Sequence, residues 1–437
     1  MYYLIMHKNK KVALCMNQII VKVFDNASLP FGAKKIKDSE ELHIGDWLNE
    51  RRMPNDRINR AKFKEIFEKY DYRLGDIKSI NYGLSLGDNY WFYPINLPYY
   101  LVLILLKFDG YNKKIPKYED INFFDKELNA GFIEKMNLNK DIVKDDIFTP
   151  DITTNGINTK YWVSRNGKKY LVKQNDAIHN FIVEKELLSA FICFLLNECR
   201  VENKKKPIQL AEYQFEKGSK PLMNCCFSEL FTSKNLDFVS YSSLTSNLSF
   251  ENKFAEMEYV IKTHSESING LRDYFDFLII LDFLSENNRS GLDLGLLYDS
   301  QYGVFKQTAP VFGNCNGFDY MKKDFTRANH NLYSSSHINI FGMNEEEQCD
   351  YIAKEIKWFM PEMFFRKSDL ILEYLGSEDL SAVPIQYREN MADWIKYKIV
   401  MIVNRRRQIL LQEEMNKEEN NEEKHDASKY QSEHYDY

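Results

Sequence analysis

Apolar residues recur at alternating positions near the start of the chain, which predicts short strands. Residues 12–15 and 19–24 are two such runs on either side of a polar turn. Further along, apolar side chains repeat with helical spacing across residues 57–70, just after Pro54, and proline is common at the first turn of a helix. These patterns predict a first domain over residues 1–130 that contains both strands and helices.

The clearest local signal is the dipeptide Asn166-Gly167, which lies between two alternating runs in residues 161–173. Both residue types tolerate positive φ, so the segment predicts a β-hairpin with a two-residue turn. The elements predicted next are a helix over 180–197 and strands over 208–213 and 223–231. We place these elements in a second domain over residues 131–250.

The third segment, residues 251–412, has mainly helical periodicity. Its predicted helices cover residues 254–263, 270–285 and 387–414. The final segment, residues 413–437, is charged and of low complexity, which predicts a disordered acidic tail. The order of elements predicts the α+β fold class.

Charge and cysteine usage narrow the functional classes. The net charge of the chain is −6, and residues 413–437 contain nine acids and three lysines, so the rest of the chain is close to neutral. This balance gives no global indication of binding to nucleic acid or to a membrane surface. Seven cysteines without a C-x-x-C pair, and no recognisable signal peptide, predict a cytoplasmic protein. The most apolar run, residues 97–108, is shorter than the roughly 20 residues that cross a bilayer.

Arginines are concentrated in one part of the first domain. Arg51, Arg52 and Arg57 follow Trp47 with the spacing W-x-x-x-R-R-x-P-x-x-R. The favoured interpretation is a helix start with arginines on its surface, and the alternative is a binding patch.

The segment 281–295 carries the most specific chemical signal. It resembles the catalytic loop of HipA-like serine/threonine kinases, whose pattern there is approximately D-F-L-x-x-N-x-D-R-H-x-x-N-x-G. In this chain Asn288 stands at the position of the Asp that orients the accepting hydroxyl, Ser290 at that of the His, and Asp293 at that of the Asn that binds magnesium. Downstream, residues 309–315 resemble the family pattern A-P-I-F-D-S-G, with Gly313 at the position of the second metal-binding Asp.

Upstream segments resemble the nucleotide-binding half of the same family. Gly156 and Lys160 match its G-x-x-x-K loop over the nucleotide, and Lys173 ends a segment that matches Y-L-I-K. On the next helix Glu186, in preference to Glu184, matches the acid that pairs with this lysine. Residues 227–231, which include Glu229 and Phe231, resemble the segment that joins the two lobes and meets the adenine.

The resemblance implies a bilobal protein-kinase-like fold of the bacterial HipA type. Residues 1–130 would then be an accessory domain, 131–250 the small lobe and 251–412 the helical large lobe. It also implies ATP and Mg²⁺ as cofactors, a protein substrate or partner, and in some members a toxin–antitoxin setting. Nucleic acid would be involved only indirectly, through a small DNA-binding partner.

The substitutions in the reaction centre predict a catalytically impaired pseudokinase that acts through binding nucleotide, protein or both. Loss of a positioned carboxylate typically lowers a rate by about 10²–10⁴-fold, and Gly313 provides no metal ligand. Asp293 retains one ligand and would serve as the remaining metal-binding and catalytic group beside Asn288. Two alternatives stay open. The first is an active serine/threonine kinase with rearranged ligands, in which Glu286, Asp282 or Asp319 provides the missing carboxylate. The second is an interaction module that binds no nucleotide.

Overall fold

The structure is a computed structural model that mixes helices and β-sheets. It describes all residues except 36–40, 55–56, 58–59, 73–75, 106–113, 129–134, 137–139, 176–180, 288, 315–316, 319–337 and 434–437. The chain divides into two compact units. The first contains Met1–Ala190, Ile208–Tyr274 and Arg289–Asn316, and the second contains Phe191–Pro207, Phe275–Asn288 and Gly317–Tyr437. The domain boundaries predicted at residues 130, 250 and 412 differ from this division and stay predictions.

Three sheets lie in the first unit. The first sheet contains β1 (Tyr2–His7), β2 (Lys10–Met16), β3 (Ile19–Val23), β4 (Lys34–Lys35), β5 (Leu42–His43) and β6 (Tyr90–Ile95), in the order β4-β5-β3-β2-β1-β6. The β2–β3 hairpin confirms the two strands predicted at the start of the chain. Because β1 pairs antiparallel with both β2 and β6, it lies inside the sheet, and Leu4 and Ile5 are completely buried.

The second sheet carries the predicted hairpin. Its strands are β7 (Lys160–Arg165), β8 (Lys168–Gln174), β9 (Tyr213–Glu216) and β10 (Cys225–Glu229), in the order β7-β8-β10-β9. Asn166 and Gly167 have φ values of 53° and 75°, as the two-residue turn requires. The strand predicted over residues 208–213 begins only at Tyr213, because Leu210 instead forms an isolated parallel bridge with Val311. The third sheet contains β11 (Leu236–Ser240), β12 (Gly295–Asp299) and β13 (Val304–Thr308).

The helices are shortest in the N-terminal third of the chain. They are α1 (Gly45–Glu50), α2 (Arg60–Lys69), α3 (Ile77–Ile80), α4 (Tyr99–Leu105), α5 (Tyr118–Ile121), α6 (Ile182–Glu202), α7 (Tyr241–Thr245), α8 (Lys253–His264), α9 (Leu271–Ser285), α10 (Glu345–Lys354), α11 (Pro361–Leu375) and α12 (Ile385–Glu433). Short 3₁₀ turns occur at Asn26–Ser28, Lys144–Ile147, Pro150–Thr153 and Pro221–Met223. Among the described helices, none has both the length and the apolar composition that crossing a membrane requires.

The second unit is helical, and α12 differs from the prediction made for the C-terminal tail. The helix begins near the predicted residue but continues to Glu433, so the segment expected to be disordered from residue 413 is helical as far as Glu433. A helix already nucleated by packing extends readily through Glu, Lys and Gln, which are good helix formers. Within this unit the buried Lys398 on α12 pairs with Glu286 at 3.2 Å and also with Glu345.

Candidate functional site

A buried lysine–glutamate pair lies at the centre of the candidate site. Lys173 is on β8, the second strand of the hairpin, and its Nζ lies 2.6 Å from Oε2 of Glu186 on α6. Both residues are almost inaccessible, with exposed fractions of 5% and 0%. Glu184, the alternative partner, instead accepts hydrogen bonds from the side chains of Asn175 and Asn224, each at 2.8 Å. The lysine and glutamate that the sequence suggested as a pair are therefore in contact.

The surroundings of Glu186 keep its carboxylate charged. Burial alone would raise the pKa of Glu186, but the positive charge of Lys173 and hydrogen bonds from Lys173, Tyr213 and the Asn314 backbone lower the pKa below its usual value. The same burial, followed by the charge of Glu186, raises the pKa of Tyr213 far above its ordinary value, so the tyrosine stays a neutral donor. Glu186 is thus an anion held by one cation and two neutral donors.

Asn314 connects this pair to the segment that resembles the catalytic loop. Its backbone N–H donates to Oε1 of Glu186 at 3.1 Å, and its side-chain Oδ1 accepts from Nη2 of Arg289 at 2.6 Å. The buried Arg289 also donates to the backbone oxygens of Phe312 at 2.9 Å and Asp293 at 3.4 Å. The hairpin, α6, the loop after α9 and the loop after β13 therefore belong to one hydrogen-bonded network.

Asp293 is an acid of this network that uses only one of its carboxylate oxygens for hydrogen bonds within the described residues. Its Oδ2 accepts from the backbone N–H of Ser290 at 3.1 Å and from the Ser290 hydroxyl at 2.8 Å. No hydrogen bond to its Oδ1 occurs within the described part of the chain. Gly313 lies against this side chain with φ of +72°, and a β carbon on Gly313 would be only 2.9 Å from Oδ1 of Asp293. Asp293 thus occupies space that a side chain at position 313 would need.

Two of the three acids proposed to replace the missing carboxylate, Glu286 and Asp282, lie in the second unit. Asn288 and Asp319 lie outside the described residues. Glu286 belongs to the second unit, where it pairs with Lys398, and the fully buried Asp282 belongs to the same unit. In the described residues, no group of three or more His, Cys, Asp or Glu side chains is arranged to hold a metal ion. The side chains present would give Mg²⁺ one carboxylate, Asp293, with the remaining ligands left to phosphate and water.

The loop before the hairpin is held by an arginine from the N-terminal region. Arg57 is 3% exposed and donates to the backbone oxygens of Gly156 at 2.8 Å, Thr154 at 2.7 Å and Asp151 at 3.4 Å. Burial lowers the pKa of Arg57 to about 10 and raises the pKa of the nearby Asp151 to about 6. Gly156 has φ of +100°, and Lys160 Nζ fills the space where a β carbon would be. Only glycine fits this position without strain.

The sequence predicted that Arg51, Arg52 and Arg57 lie on the surface. This prediction is wrong for Arg51 and Arg57. Like Arg57, Arg51 is buried, and it forms an ion pair with Asp88, donates to Gly83 O at 2.6 Å and stacks on Trp47 at 4.7 Å. The W-x-x-x-R-R-x-P-x-x-R spacing therefore places one arginine on the Trp47 ring and another on the loop at Gly156. Arg52 is half-buried, and its side chain has no hydrogen bond within the described residues.

Replacing Arg57 with methionine should lower the free energy of unfolding by about 2–3 kcal/mol, because it leaves buried backbone oxygens without a charged donor. Arg52→Met is the matched control from the same motif, with an expected change within about 0.5 kcal/mol. Urea denaturation of both variants measures the difference. Equal stability of the two would show that the loop does not depend on Arg57.

One cavity in the first unit brings most of the predicted residues together. Its volume is about 410 Å³, and its wall includes Gly156, Lys160, Lys173, Glu229, Phe231, Asp293 and Gly313. Lys160 and Lys173 are directly opposite each other in the β7–β8 register. The Glu229 carboxylate pairs with Lys168 at 2.8 Å, so its side chain is engaged away from the lysines of the cavity wall. Glu186 lies behind Lys173 rather than in the wall.

Several residues of the cavity wall were not among the predicted site residues. The N-terminal region contributes Trp47, Glu50, Arg51 and residues 85–88, and the segment after β11 contributes Ser240 and Ser243. The arginine spacing after Trp47 pointed to this region without assigning a site to it. No periodicity or motif distinguishes Glu50 from the other acids of the chain.

Neither protein-family models nor curated proteins give a match to this chain. Among solved structures, one similar chain is that of the crystal structure of a Helicobacter pylori proinflammatory kinase, CtkA. The two chains share 12% identity with a TM-score of 0.43, over 59% of this chain and 92% of the other. We therefore base the function proposed below on the geometry of the cavity.

Proposed function

We propose that the first unit binds ATP at a kinase-like site whose capacity for phosphoryl transfer is impaired, and that the protein acts through binding a protein partner. The observation that supports this proposal best is the Lys173–Glu186 pair at the wall of a cavity that also contains Asp293. Phosphoryl transfer sites need a cation on the phosphates and an acid for the metal. This chain has both a cation, Lys173, and an acid, Asp293, in the wall of one cavity.

The remaining wall suits the other parts of a nucleotide. Lys160 and Lys173 supply two positive charges for a polyphosphate. The rings of Phe231, Phe238 and Phe312 pack together with centroids 5.2–5.8 Å apart, and they form an apolar surface that a purine base could contact. A pocket of this kind, largely apolar with a few charged groups, is typical of small-molecule sites.

The reaction centre favours binding over transfer. A transfer reaction would move the terminal phosphoryl group of ATP to a serine or threonine hydroxyl, with a carboxylate to orient that hydroxyl. Asn288 cannot accept the proton, and Gly313 contributes no carboxylate to balance and hold a metal. Asp293 alone, with Ser290 on one of its oxygens, leaves one carboxylate oxygen for Mg²⁺. We therefore expect ATP binding that depends weakly on magnesium, with little turnover.

A second candidate is an active kinase in which Asp293 carries the metal by itself. The open Oδ1 of Asp293 is the specific observation that favours it, since this oxygen is the one that faces Gly313. In that case Asp293→Ala should abolish incorporation of phosphate.

Thermal denaturation with ATP, with and without Mg²⁺, tests the proposal. ATP at 100 times its dissociation constant should stabilise the protein by about 2.7 kcal/mol, and removal of Mg²⁺ should change this little. Lys160→Met should reduce the stabilisation, because it removes a cation from the wall without touching the buried pair. Lys169→Met, on the same hairpin but outside the cavity wall, is the matched control. No stabilisation at millimolar ATP would contradict the proposal and favour an interaction module that binds no nucleotide.

A further inference from the structure

Helix α1 places an acid in the cavity from a part of the chain that precedes the hairpin by more than a hundred residues. Glu50 is the last residue of α1, is half-buried, and belongs to the wall of the same cavity as Lys173 and Asp293. Its neighbour Arg51 anchors the end of this helix to Asp88 and to Gly83 O. The position of Glu50 is therefore fixed by buried contacts of the adjacent residue.

Only one oxygen of the Glu50 carboxylate is used within the protein. Oε2 accepts from the hydroxyl of Ser240 at 3.2 Å and from the hydroxyl of Ser243 at 3.1 Å. Oε1 has no hydrogen-bond partner, and the carboxylate has no ion pair, within the described part of the chain. The cavity wall therefore contains a carboxylate oxygen, Oε1 of Glu50, that is available to a ligand.

The negative charge of Glu50 is not needed for its contacts with the two serines. The amide oxygen of a glutamine could accept both hydroxyls without the free-energy cost of burying a charge. Burial raises the pKa of Glu50, which shows that the protein environment disfavours the charge. A carboxylate whose charge the protein's own contacts do not require, in the wall of a cavity, is a candidate ligand-binding group.

The location of the two serines indicates which ligand groups would reach Glu50. Ser240 is the N-cap of α7, and Ser242 in this helix donates its backbone N–H to Gly291 O at 3.1 Å. The serines that hold Glu50 thus adjoin the loop that carries Asp293. The aromatic cluster also lies close along the chain, because Phe238 precedes Ser240 on β11. Glu50 therefore borders the cavity near both the acid of the phosphate region and the apolar surface.

We infer that Glu50 binds the hydroxyl groups of the nucleotide's sugar and makes the site selective for ribonucleotides. This inference rests on the proposed nucleotide binding and adds a specificity-determining residue to it. A carboxylate with one free oxygen is a strong acceptor for a neutral hydroxyl donor, and such charge-assisted hydrogen bonds are about twice as strong as neutral ones. A sugar hydroxyl is the donor that a nucleotide offers between its base and its phosphates.

Calorimetric titration with ATP, 2′-deoxy-ATP and 2′,3′-dideoxy-ATP tests the inference without any change to the protein. We expect ATP to bind about 10–100-fold more tightly than 2′,3′-dideoxy-ATP, as for a hydrogen bond to a charged group. Equal affinities for the three nucleotides would overturn the inference and leave the proposed function intact. Failure of all three to bind would instead overturn the proposed function, and the inference with it.

Glu50→Gln provides the second part of the test. It should weaken ATP binding about tenfold or more, leave binding of 2′,3′-dideoxy-ATP unchanged, and so remove most of the discrimination. Glu50→Asp keeps the negative charge and should retain part of the discrimination between ATP and 2′,3′-dideoxy-ATP. Thermal denaturation reports whether each variant is folded. Asp46→Asn, an exposed residue of the same helix outside the cavity wall, is the control and should keep the wild-type ratio. Full discrimination in Glu50→Gln would show that another group recognises the sugar.

Discussion

Lys173→Met is expected to lower the free energy of unfolding of the first unit by about 3–5 kcal/mol, because it leaves the charge of Glu186 buried without its cation. Glu186 has no exposed surface, so water cannot replace the lysine. Urea denaturation gives the overall change. Hydrogen–deuterium exchange of peptides from β8 and α6 would assign it to the neighbourhood of the pair.

A double variant separates the loss of a charge partner from the loss of packing. Lys173→Met combined with Glu186→Gln removes both charges and should be more stable than Lys173→Met alone. Lys168→Met, an exposed lysine on the same strand, should change stability by no more than about 0.5 kcal/mol. If Lys173→Met proves as stable as the wild type, Glu186 is neutral in the folded protein and the electrostatic description of the site is wrong.

Restoring the residues of the kinase pattern should raise phosphoryl transfer by about 10²–10⁴-fold, but only when three positions change together. Gly313→Asp alone introduces a side chain at φ of +72°, with its β carbon 2.9 Å from Oδ1 of Asp293. It would also bring two carboxylates into contact. Asp293→Asn removes that repulsion, and Asn288→Asp supplies the orienting acid. Incorporation of radiolabelled phosphate from ATP measures the gain.

Single variants at position 313 separate the effect of backbone strain from the effect of the added charge. Gly313→Ala has the same backbone strain as Gly313→Asp without the added charge, so a larger loss of stability in Gly313→Asp reports the carboxylate contact. A triple variant with no more activity than the wild type would mean that the rest of the cavity no longer supports transfer. Strong incorporation by the wild type itself would instead favour the kinase with a rearranged metal site.

The sequence predicted best those features that depend on neighbouring residues. The turn at Asn166-Gly167 requires positive φ at both positions, so these two residues were enough to locate the hairpin. Its second strand was predicted to end at Lys173, one residue before the end of β8. The helices over residues 254–263 and 270–285 were also predicted within one residue at each end, because their periodicity is regular. Lys173 and Glu186 then followed from the resemblance to a family pattern and from the order of the elements.

Contacts between distant parts of the chain could not be predicted in this way. Arg57 acts on carbonyl groups almost a hundred residues away, and a buried arginine that satisfies backbone oxygens leaves no pattern in the sequence. Glu50 meets two serines that are about 190 residues further along. In the tail, the high charge of residues 413–433 indicated disorder, whereas the helix that precedes them provides a nucleus that local composition does not reveal.

The three carbonyl acceptors of Arg57 affect how a ligand would enter the cavity. In a loop that closes only when ligand arrives, the lost conformational entropy opposes association. Here three hydrogen bonds from Arg57 within the protein itself hold the backbone around Gly156. Association should therefore occur in a single step with a small entropic barrier, and its rate should vary with the charge of the ligand more than with slow rearrangement of the protein.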